Sequence, residues 1–266
     1  MKKRIGLVGY PIGHSLSPVI YDYWVKLHGI KNVSPYELCE VKPDDFDDFM
    51  RTNDFYALNI TMPYKDRVRS GEIINLECGY RGHNTDVNAI RQHVVQWINP
   101  LRPYVFILGC GAMAENIIHC LLEQQFHIYE SRIDTHIKII ARDEVKGLAL
   151  VNKYHNSSIT YSEWAKRNDI LDDASMLINA TPLGMKGFDD LDISLKQLPK
   201  DATVCDMIYN PLKTTLLKTA KKRGNTIVDG LTIFMSQAQY AFNIMFGIKP
   251  EITPELRKLL ERELRC

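Results

Sequence analysis

Two residue patterns in this chain are suited to chemistry. The first is Gly109-Cys110-Gly111-Ala112-Met113-Ala114, a G-x-G-x-x-A run directly after the β-rich stretch "YVFIL" and at the start of a helical pattern. There the first glycine permits a tight turn, the second lets a pyrophosphate reach the backbone, and the alanine keeps the helix close to the sheet. The helix N-terminus then faces negative charge. The pattern predicts a dinucleotide site. The second is a set of polar side chains just past strand ends or inside helices. Lys65 follows a proline turn in "NITMPYKDRV", Ser15 and Ser17 follow a strand in "GYPIGHSLSP", Asp86 ends "GHNTD", and Gln237 sits in an apolar helix at "SQAQ". Each also has a plain structural reading. Lys65 suits a surface turn, Ser17 an N-cap with Pro18 at the first helical position, Asp86 the helix dipole, and Gln237 a solvated position.

Cofactor choice is read after the second strand of the glycine-rich region, in "KIIARDEVKG". Arg142 and Lys146 suit the 2′-phosphate of NADP, whereas Asp143 suits a free ribose 2′-hydroxyl. An exposed turn residue is the alternative for Arg142. This strand arrives late, because "FHIYESRIDT" intervenes as an irregular loop or helix extension.

The elements that must position these groups alternate strand and helix, which predicts an α/β fold. "RIGLVG" reads as a first strand, followed by a helix from Ser17 to about His28. "SPYELCEV" and "YALNI" read as strands, with a short acidic helix in "DDFDDFM" between them. "EIINLECGYRG" reads as a hairpin turning at Cys78-Gly79, after which Thr85 caps a helix to about Trp97. "INPLRP" punctuates the chain as a linker. Beyond it come "YVFIL", "HIKIIAR", "MLINATPLGM", "ATVCDMIYNP" and "TIVDG" as strands, an apolar helix from Leu231 to Phe246, and a terminal amphipathic helix in "TPELRKLLERELR". The expected division is residues 1–99 with 231–266 as one domain, and 100–230 as a Rossmann-like dinucleotide-binding domain.

Composition narrows the function classes. At 266 residues, 45% apolar and 24% charged, the chain suits a globular protein with ample core. A formal net charge of +1 gives no bulk field for nucleic acid or an anionic membrane. No stretch approaches the ~20 apolar residues that span a bilayer. The basic start "MKKRIGLVGYPIG" is broken at once by Gly and Pro and reads as a strand rather than a signal peptide. The 6 cysteines form no C-x-x-C pair and the 8 histidines show no ligand spacing, so reduced structural thiols, a cytoplasmic location and no metal are expected. The sequence leaves monomer and homodimer open.

Taken together, "GYPIGHSLSP", "NITMPYK", "GHNTD", "GCGAMA", "NATPLGM", "DMIYNP" and "DGLTIFMSQAQ" resemble the shikimate dehydrogenase family. They come in the family order and span Gly9 to Gln239. The resemblance implies an N-terminal α/β substrate domain, a Rossmann-like cofactor domain, and C-terminal helices returning to the first. The implied reaction is the reversible reduction of 3-dehydroshikimate to shikimate with NADPH, in aromatic amino-acid biosynthesis. Residue by residue, it implies that Ser15 and Ser17 bind the substrate carboxylate. Thr61 and Gln237 would hold ring hydroxyls with Asn84 nearby, Tyr209 would approach the substrate, and Lys65 and Asp86 would form the catalytic pair. Gly109, Gly111, Ala112 and Ala114 would meet the dinucleotide, with Arg142, Asp143 and Lys146 beyond them. Asn179, Ala180, Thr181, Met185 and Gly230 would line the cofactor cleft. Hydride arriving at a ketone leaves charge on oxygen, which a positioned ammonium stabilises and protonates. A free lysine titrates near ~10.4, so donation near neutrality gains from desolvation, which a neighbouring carboxylate opposes. Asp86 is therefore expected to orient Lys65 or relay a proton.

The chain departs from the family at several points. Only residues 66–83 separate Lys65 from Asn84, where the family carries a helix and a strand reading like "GAVNT" whose Asn contacts substrate. Aligning backwards from Ile73 puts Gly71 in the place of that Asn. Either this protein has lost the segment, leaving a site short of one hydrogen-bond donor, or the segment is missing from the chain as given. Tyr21 and Asp22 stand where the family commonly has His-Asn, and Ala141 and Asp143 where it commonly has Asn and Thr. Two alternatives follow: an NAD-dependent quinate/shikimate dehydrogenase, supported by Asp143, and a ligand-binding relative without turnover, suggested by the short segment.

Overall fold

The computed structural model describes residues 2–68, 74–79, 81–124 and 135–265. The expectations at Gly71 and over "FHIYESRIDT" as far as Asp134 fall outside them. In chain order the elements begin β1 (Ile5–Gly9), α1 (Ser17–Leu27), β2 (Glu37–Glu40), α2 (Phe46–Thr52), β3 (Ala57–Ile60), β4 (Leu76–Cys78), β5 (Arg81–His83) and α3 (Thr85–His93). Then come β6 (Tyr104–Leu108), α4 (Ala112–Gln124), β7 (His136–Ala141), α5 (Glu144–Lys153), β8 (Ile159–Glu163), β9 (Met176–Asn179) and β10 (Thr203–Asp206). The chain ends with α6 (Thr215–Arg223), β11 (Thr226–Val228), α7 (Gly230–Phe246) and α8 (Pro254–Glu263). It forms two compact units, Met1–Asn88 with Met235–Cys266, and Ala89–Phe234.

The first unit holds a five-stranded sheet in the order β2-β1-β3-β4-β5. β1, β2 and β3 run parallel, while β4 and β5 form an antiparallel hairpin added beside β3. β1 and β3 are buried along their whole length, which explains their continuous apolar runs. At the end of β1, a Cβ on Gly9 would sit 2.5 Å from both Ile12 and Thr61. Glycine there lets the loop after β1 press against the loop after β3, and Tyr10 N donates to Met62 O at 3.0 Å. Below the sheet Phe46 stacks on Tyr64 with ring centroids 3.9 Å apart. The C-terminal part of α7 closes the unit: Phe242 packs edge-on to Trp24 at 5.4 Å, and Tyr56 Oη donates to Met245 O at 3.2 Å.

The second unit holds a six-stranded, wholly parallel sheet in the order β8-β7-β6-β9-β10-β11. The chain starts at β6, runs outward to β8, and returns to β9 on the other side of β6. That is the doubly wound order, whose switch point lies between β6 and β9. Its core joins Phe106, Leu108, Leu177, Val204 and Leu217, all essentially without exposure.

Several local expectations need correction. Ser17 does not cap α1: Leu16 stands at the N-cap without a side-chain bond, and Ser17 is the first helical residue. Its backbone N–H donates to Ser15 Oγ at 3.2 Å, so Ser15 supplies the oxygen. Thr85 likewise begins α3 rather than capping it, and α3 ends at His93, with a separate 3-10 turn at Val95–Trp97. Cys78 pairs with Arg81 and so lies within the hairpin's strand rather than in its turn, and Gly79 takes φ +56. β8 was not read from "ITYSE", because an edge strand with only Ile159 buried carries little apolar signal.

Candidate active site

The polar side chains of the first unit gather at the C-terminal ends of its parallel strands, the usual ligand-binding edge of such sheets. β3 ends at Ile60, Thr61 N donates to Val8 O at 3.0 Å, and Tyr64 N closes the proline turn onto Thr61 O at 2.9 Å. The turn delivers Lys65 Nζ to Asp86 Oδ2 at 2.5 Å. The two side chains are only 15% and 5% exposed. Asp86 lies in the first turn of α3. A surface lysine would keep its ammonium in water, and a buried pair adds little stability over apolar packing. The geometry thus sets aside the surface reading of Lys65.

The connection after Lys65 is short. Ile74 N donates to Lys65 O at 2.8 Å, which leads the chain straight back towards β4. Asn75 follows, 3% exposed, with its N–H on His83 O at 3.0 Å. Its side chain grips Thr85: Nδ2 donates to Thr85 Oγ1 at 2.9 Å and Oδ1 accepts from Thr85 N at 2.8 Å. Thr85 Oγ1 lies 3.4 Å from Gln237 Oε1 and 3.2 Å from Asn75 Oδ1 and can donate to either. Gln237 is half-buried, not solvated. Asn75 was not singled out from sequence; an Asn flanked by Ile74 and Leu76 in a β-rich run was the available signal, since buried amides need partners. Asn84, half-buried, directly precedes Thr85.

Ser15 and Ser17 lie in the loop after β1 and the start of α1, with their hydroxyl oxygens 3.1 Å apart. Ser17 is 5% exposed. Asn59, on β3, donates from Nδ2 to Tyr36 Oη at 2.6 Å and to Tyr21 Oη at 3.1 Å. Burial pushes both phenols above their ordinary pKa, so both remain protonated donors.

In the second unit the glycine-rich turn lies at the switch point. Gly109 takes φ +109, and its place for a Cβ is 3.0 Å from Thr181 and 3.2 Å from Ala180 O. A Cβ on Gly111 would meet nothing, leaving the backbone ahead of α4 open to a ligand. Ala114 is fully buried, which keeps α4 close to the sheet. These features fit a bound dinucleotide pyrophosphate. Asn179 presents no surface. Its Nδ2 donates to Leu183 O at 3.1 Å and to Asp206 Oδ1 at 3.0 Å, and its Oδ1 accepts from Thr181 N at 3.0 Å. It therefore shapes the loop that carries Ala180, Thr181 and Met185 instead of lining a cleft. Gly230 has a packing reason of its own, since a Cβ there would fall 2.4 Å from the Ile208 carbonyl. Tyr209 also belongs to this unit, tilted against Phe234 at 4.8 Å.

Asp206 escaped the sequence reading. It is fully buried at the end of β10, and burial pushes its carboxyl up to about 6 against the bonds it accepts from Thr214, Ile208 N and Asn179. On the turn after β7, Asp143 caps α5: its Oδ1 accepts from Lys146 N at 3.0 Å. Arg142 and Lys146 are exposed beside it. Among the described residues, no cluster of His, Cys, Asp or Glu could hold a metal ion, and no helix is long and apolar enough to cross a membrane.

Comparison with known proteins agrees with this geometry. The family model for the shikimate dehydrogenase substrate binding domain matches residues 7–71. A shikimate dehydrogenase (NADP(+)) of Nitrobacter hamburgensis is 32% identical over 97% of this chain and 94% of its own length. Among solved structures, a shikimate dehydrogenase in complex with NADP+ has a TM-score of 0.78 at 26% identity, covering 99% of this chain and 95% of its own. A quinate dehydrogenase from Corynebacterium glutamicum in complex with NAD also reaches a TM-score of 0.78, at 22% identity, covering 97% of this chain and 99% of its own. The second likeness speaks for the fold alone. With a relative 32% identical over 97% of this chain, and a doubly wound second sheet, the chain belongs to the shikimate dehydrogenase family.

Proposed function

We propose that this protein catalyses the reversible reduction of 3-dehydroshikimate to shikimate with NADPH, using Lys65 and Asp86 as its catalytic pair. The observation that carries the reading is the sequestered 2.5 Å contact between those two groups at the strand ends. Residues 1–99 with 231–266 would bind substrate, and 100–230 the dinucleotide, as a cytoplasmic monomer or homodimer.

When bound, NADPH supplies a hydride to the ketone carbon, and negative charge develops on the oxygen. Lys65 stabilises that charge and donates its proton there, so the ketone gains one hydride and one proton and becomes the alcohol. Asp86 fixes Nζ in place, which restricts the ammonium to one direction of donation. In the oxidative direction the neutral amine takes the hydroxyl proton. Ser15 and Ser17 donate to the substrate carboxylate. Thr61, Gln237 and Asn75 hold ring hydroxyls, with Asn84 next to Thr85 supporting them. Tyr209 approaches from its own loop. On the cofactor side, the backbone at Gly109, Gly111 and Ala112 meets the pyrophosphate, with Thr181 and Met185 on the neighbouring loop.

The NAD-dependent quinate/shikimate alternative leaned on Asp143. That carboxylate is engaged as a helix cap and lies 3.7 Å from Lys146 Nζ, while Arg142 keeps its charge in solvent on the same turn, which supports NADP. Rates of 3-dehydroshikimate reduction with NADPH and NADH, beside oxidation of shikimate and quinate, test the reading. Faster turnover with NADH, or quinate matching shikimate, would favour the alternative. Ligand binding without any reduction would favour a relative without turnover.

A further inference from the structure

We infer that Asp206 is a positioning residue for dinucleotide binding: as a carboxylate it draws the loops after β9 and β10 into one shape, which holds the glycine-rich turn ready for the cofactor. The inference rests on the proposed function, in which the second unit binds NADPH.

Asp206 presents no surface, and the three groups bonded to it all donate. Thr214 Oγ1 donates to Oδ2 at 2.6 Å, while Ile208 N and Asn179 Nδ2 donate to Oδ1 at 3.1 and 3.0 Å. None of the three carries a charge. The titratable neighbours are Cys205, beside it on β10, and Asp229, just beyond β11. Burial and then both carboxylates push the Cys205 thiol up, so it stays neutral.

Two routes lead from the carboxylate to the loop after β9. Asn179 cannot turn its amide over, since Leu183 O only accepts and Thr181 N only donates. Its bond to Asp206 therefore holds its Oδ1 on Thr181, where it accepts from N at 3.0 Å and from Oγ1 at 2.7 Å. Thr181 in turn stands 3.0 Å from the place of a Cβ on Gly109. On the second route Thr214 packs against the same loop, since a Cβ on Gly184 would fall 3.7 Å from Thr214 Cβ. The Oδ2 bond fixes Thr214 there, and its hydroxyl also accepts from Leu217 N at 3.3 Å to cap α6.

The fold alone does not ask for the charge. An asparagine at this position has the same shape: its Oδ1 can accept from Ile208 N and Asn179, and its Nδ2 can donate to Thr214 Oγ1. It also avoids burying a carboxylate, the cause that pushes Asp206 up to about 6. What the amide nitrogen cannot do is accept the Thr214 proton, so the charge-assisted bond is lost and the grip on the loop loosens. The charge thus opposes stability while it sets the shape of two cofactor-side loops, which is the mark of a group kept for binding.

NADPH titrations of wild type and Asp206→Asn from about pH 5 to about pH 8 test this. The ratio of the two Kd values cancels the titration of the ligand's own 2′-phosphate. It should rise from within about twofold at the acid end, where Asp206 is protonated, to about tenfold at the alkaline end, with its midpoint near 6. The shikimate KM at saturating cofactor should stay within about twofold of wild type. Thr214→Val removes the proton given to Oδ2 and should weaken NADPH binding about fivefold at the alkaline end, while Thr214→Ser should restore it. The threonine variants decide the matter if Asp206→Asn does not fold. A Kd ratio that stays flat with pH would overturn the inference, as would wild-type NADPH binding in Thr214→Val. An equal rise in shikimate KM would make Asp206 a support of the whole chain and overturn it too. If wild type binds NADPH at no pH, the cofactor reading itself fails, and the inference with it.

Discussion

On the proposed function, the two sheets carry their ligand-facing groups in different ways. At the strand ends of the first unit, side chains would meet the substrate: hydroxyls of Ser15, Ser17 and Thr61, amides of Asn75 and Gln237, and the Lys65–Asp86 pair. At the strand ends of the second unit, the polar side chains turn inward. Asn179 and Asp206 are fully buried and bonded to each other at 3.0 Å, and what reaches solvent is loop backbone shaped by them. A small polyol acid has few polar groups at fixed positions, which side chains match one by one. A pyrophosphate asks only for several N–H groups in an arc. Substitutions in the first unit should therefore remove chemistry while the fold stands, and those in the second should act through loop shape.

The largest effect tests the first half of that contrast. Lys65→Ala should lower kcat for 3-dehydroshikimate reduction by about 10³-fold, through loss of proton donation and charge stabilisation. Its thermal midpoint should fall modestly, since the truncation leaves the little-exposed Asp86 carboxylate without its ammonium, while unfolding stays cooperative. Near-normal turnover with unchanged substrate KM would return Lys65 to an ordinary turn residue.

Asp206 tests the second half. Its carboxyl is pushed from 3.8 up to about 6, so the folded chain binds this proton more tightly than the unfolded one. The stabilisation is present in full below about pH 3.8 and is lost as pH rises through 6. Urea unfolding at a series of pH values should show wild type losing up to about 3 kcal/mol relative to Asp206→Asn between pH 4 and 7. A difference that stays flat with pH would mean that the bonds from Thr214, Ile208 and Asn179 fully offset burial of the charge.

Much of this contrast was legible in the residues, and unevenly so. The glycine-rich turn was read well because its requirements are local: a strand, a turn with φ +109 at Gly109, then a helix. Lys65 and Asp86 were found through motifs, yet their contact depends on a short connection that sequence spacing made look like damage. Spacing pointed to Gly71 for the missing amide. The hairpin register, with Leu76 opposite His83, points to Asn75 instead, and register is a property of paired strands. Ser17 was misread as a cap because Ser-Pro at a helix start usually is one. Asp206 looked like any residue at a strand end, and only the packing of two loops over it reveals its burial.

A smaller effect separates backbone shape from ligand approach within one turn. Gly109→Ala places a Cβ at φ +109 against Thr181 and Ala180, and should cost about 2 kcal/mol of stability, read by urea unfolding. Gly111→Ala meets no atom within 4 Å and should unfold like wild type. It should still weaken NADPH binding in a calorimetric titration, because its methyl stands where the pyrophosphate approaches. Equal losses of stability in both variants would erase the distinction.

The smallest effect concerns the one place where the second unit would read its ligand with a side chain. Arg142 is exposed on the turn after β7, with its neighbour Asp143 committed to capping α5. A solvated guanidinium meeting a 2′-phosphate gains less than a buried contact, so Arg142→Ala should raise the NADPH KM by only about fivefold, about 1 kcal/mol. The KM for NADH, which lacks that phosphate, should not move. A parallel rise for both cofactors would mean that Arg142 shapes the turn as Asn179 and Asp206 shape theirs, and the second unit would then read its ligand by backbone throughout. Loss confined to NADPH would make this turn the exception, a side-chain contact added to a backbone site, and would explain how one scaffold can bind either nicotinamide cofactor without altering its glycine-rich turn.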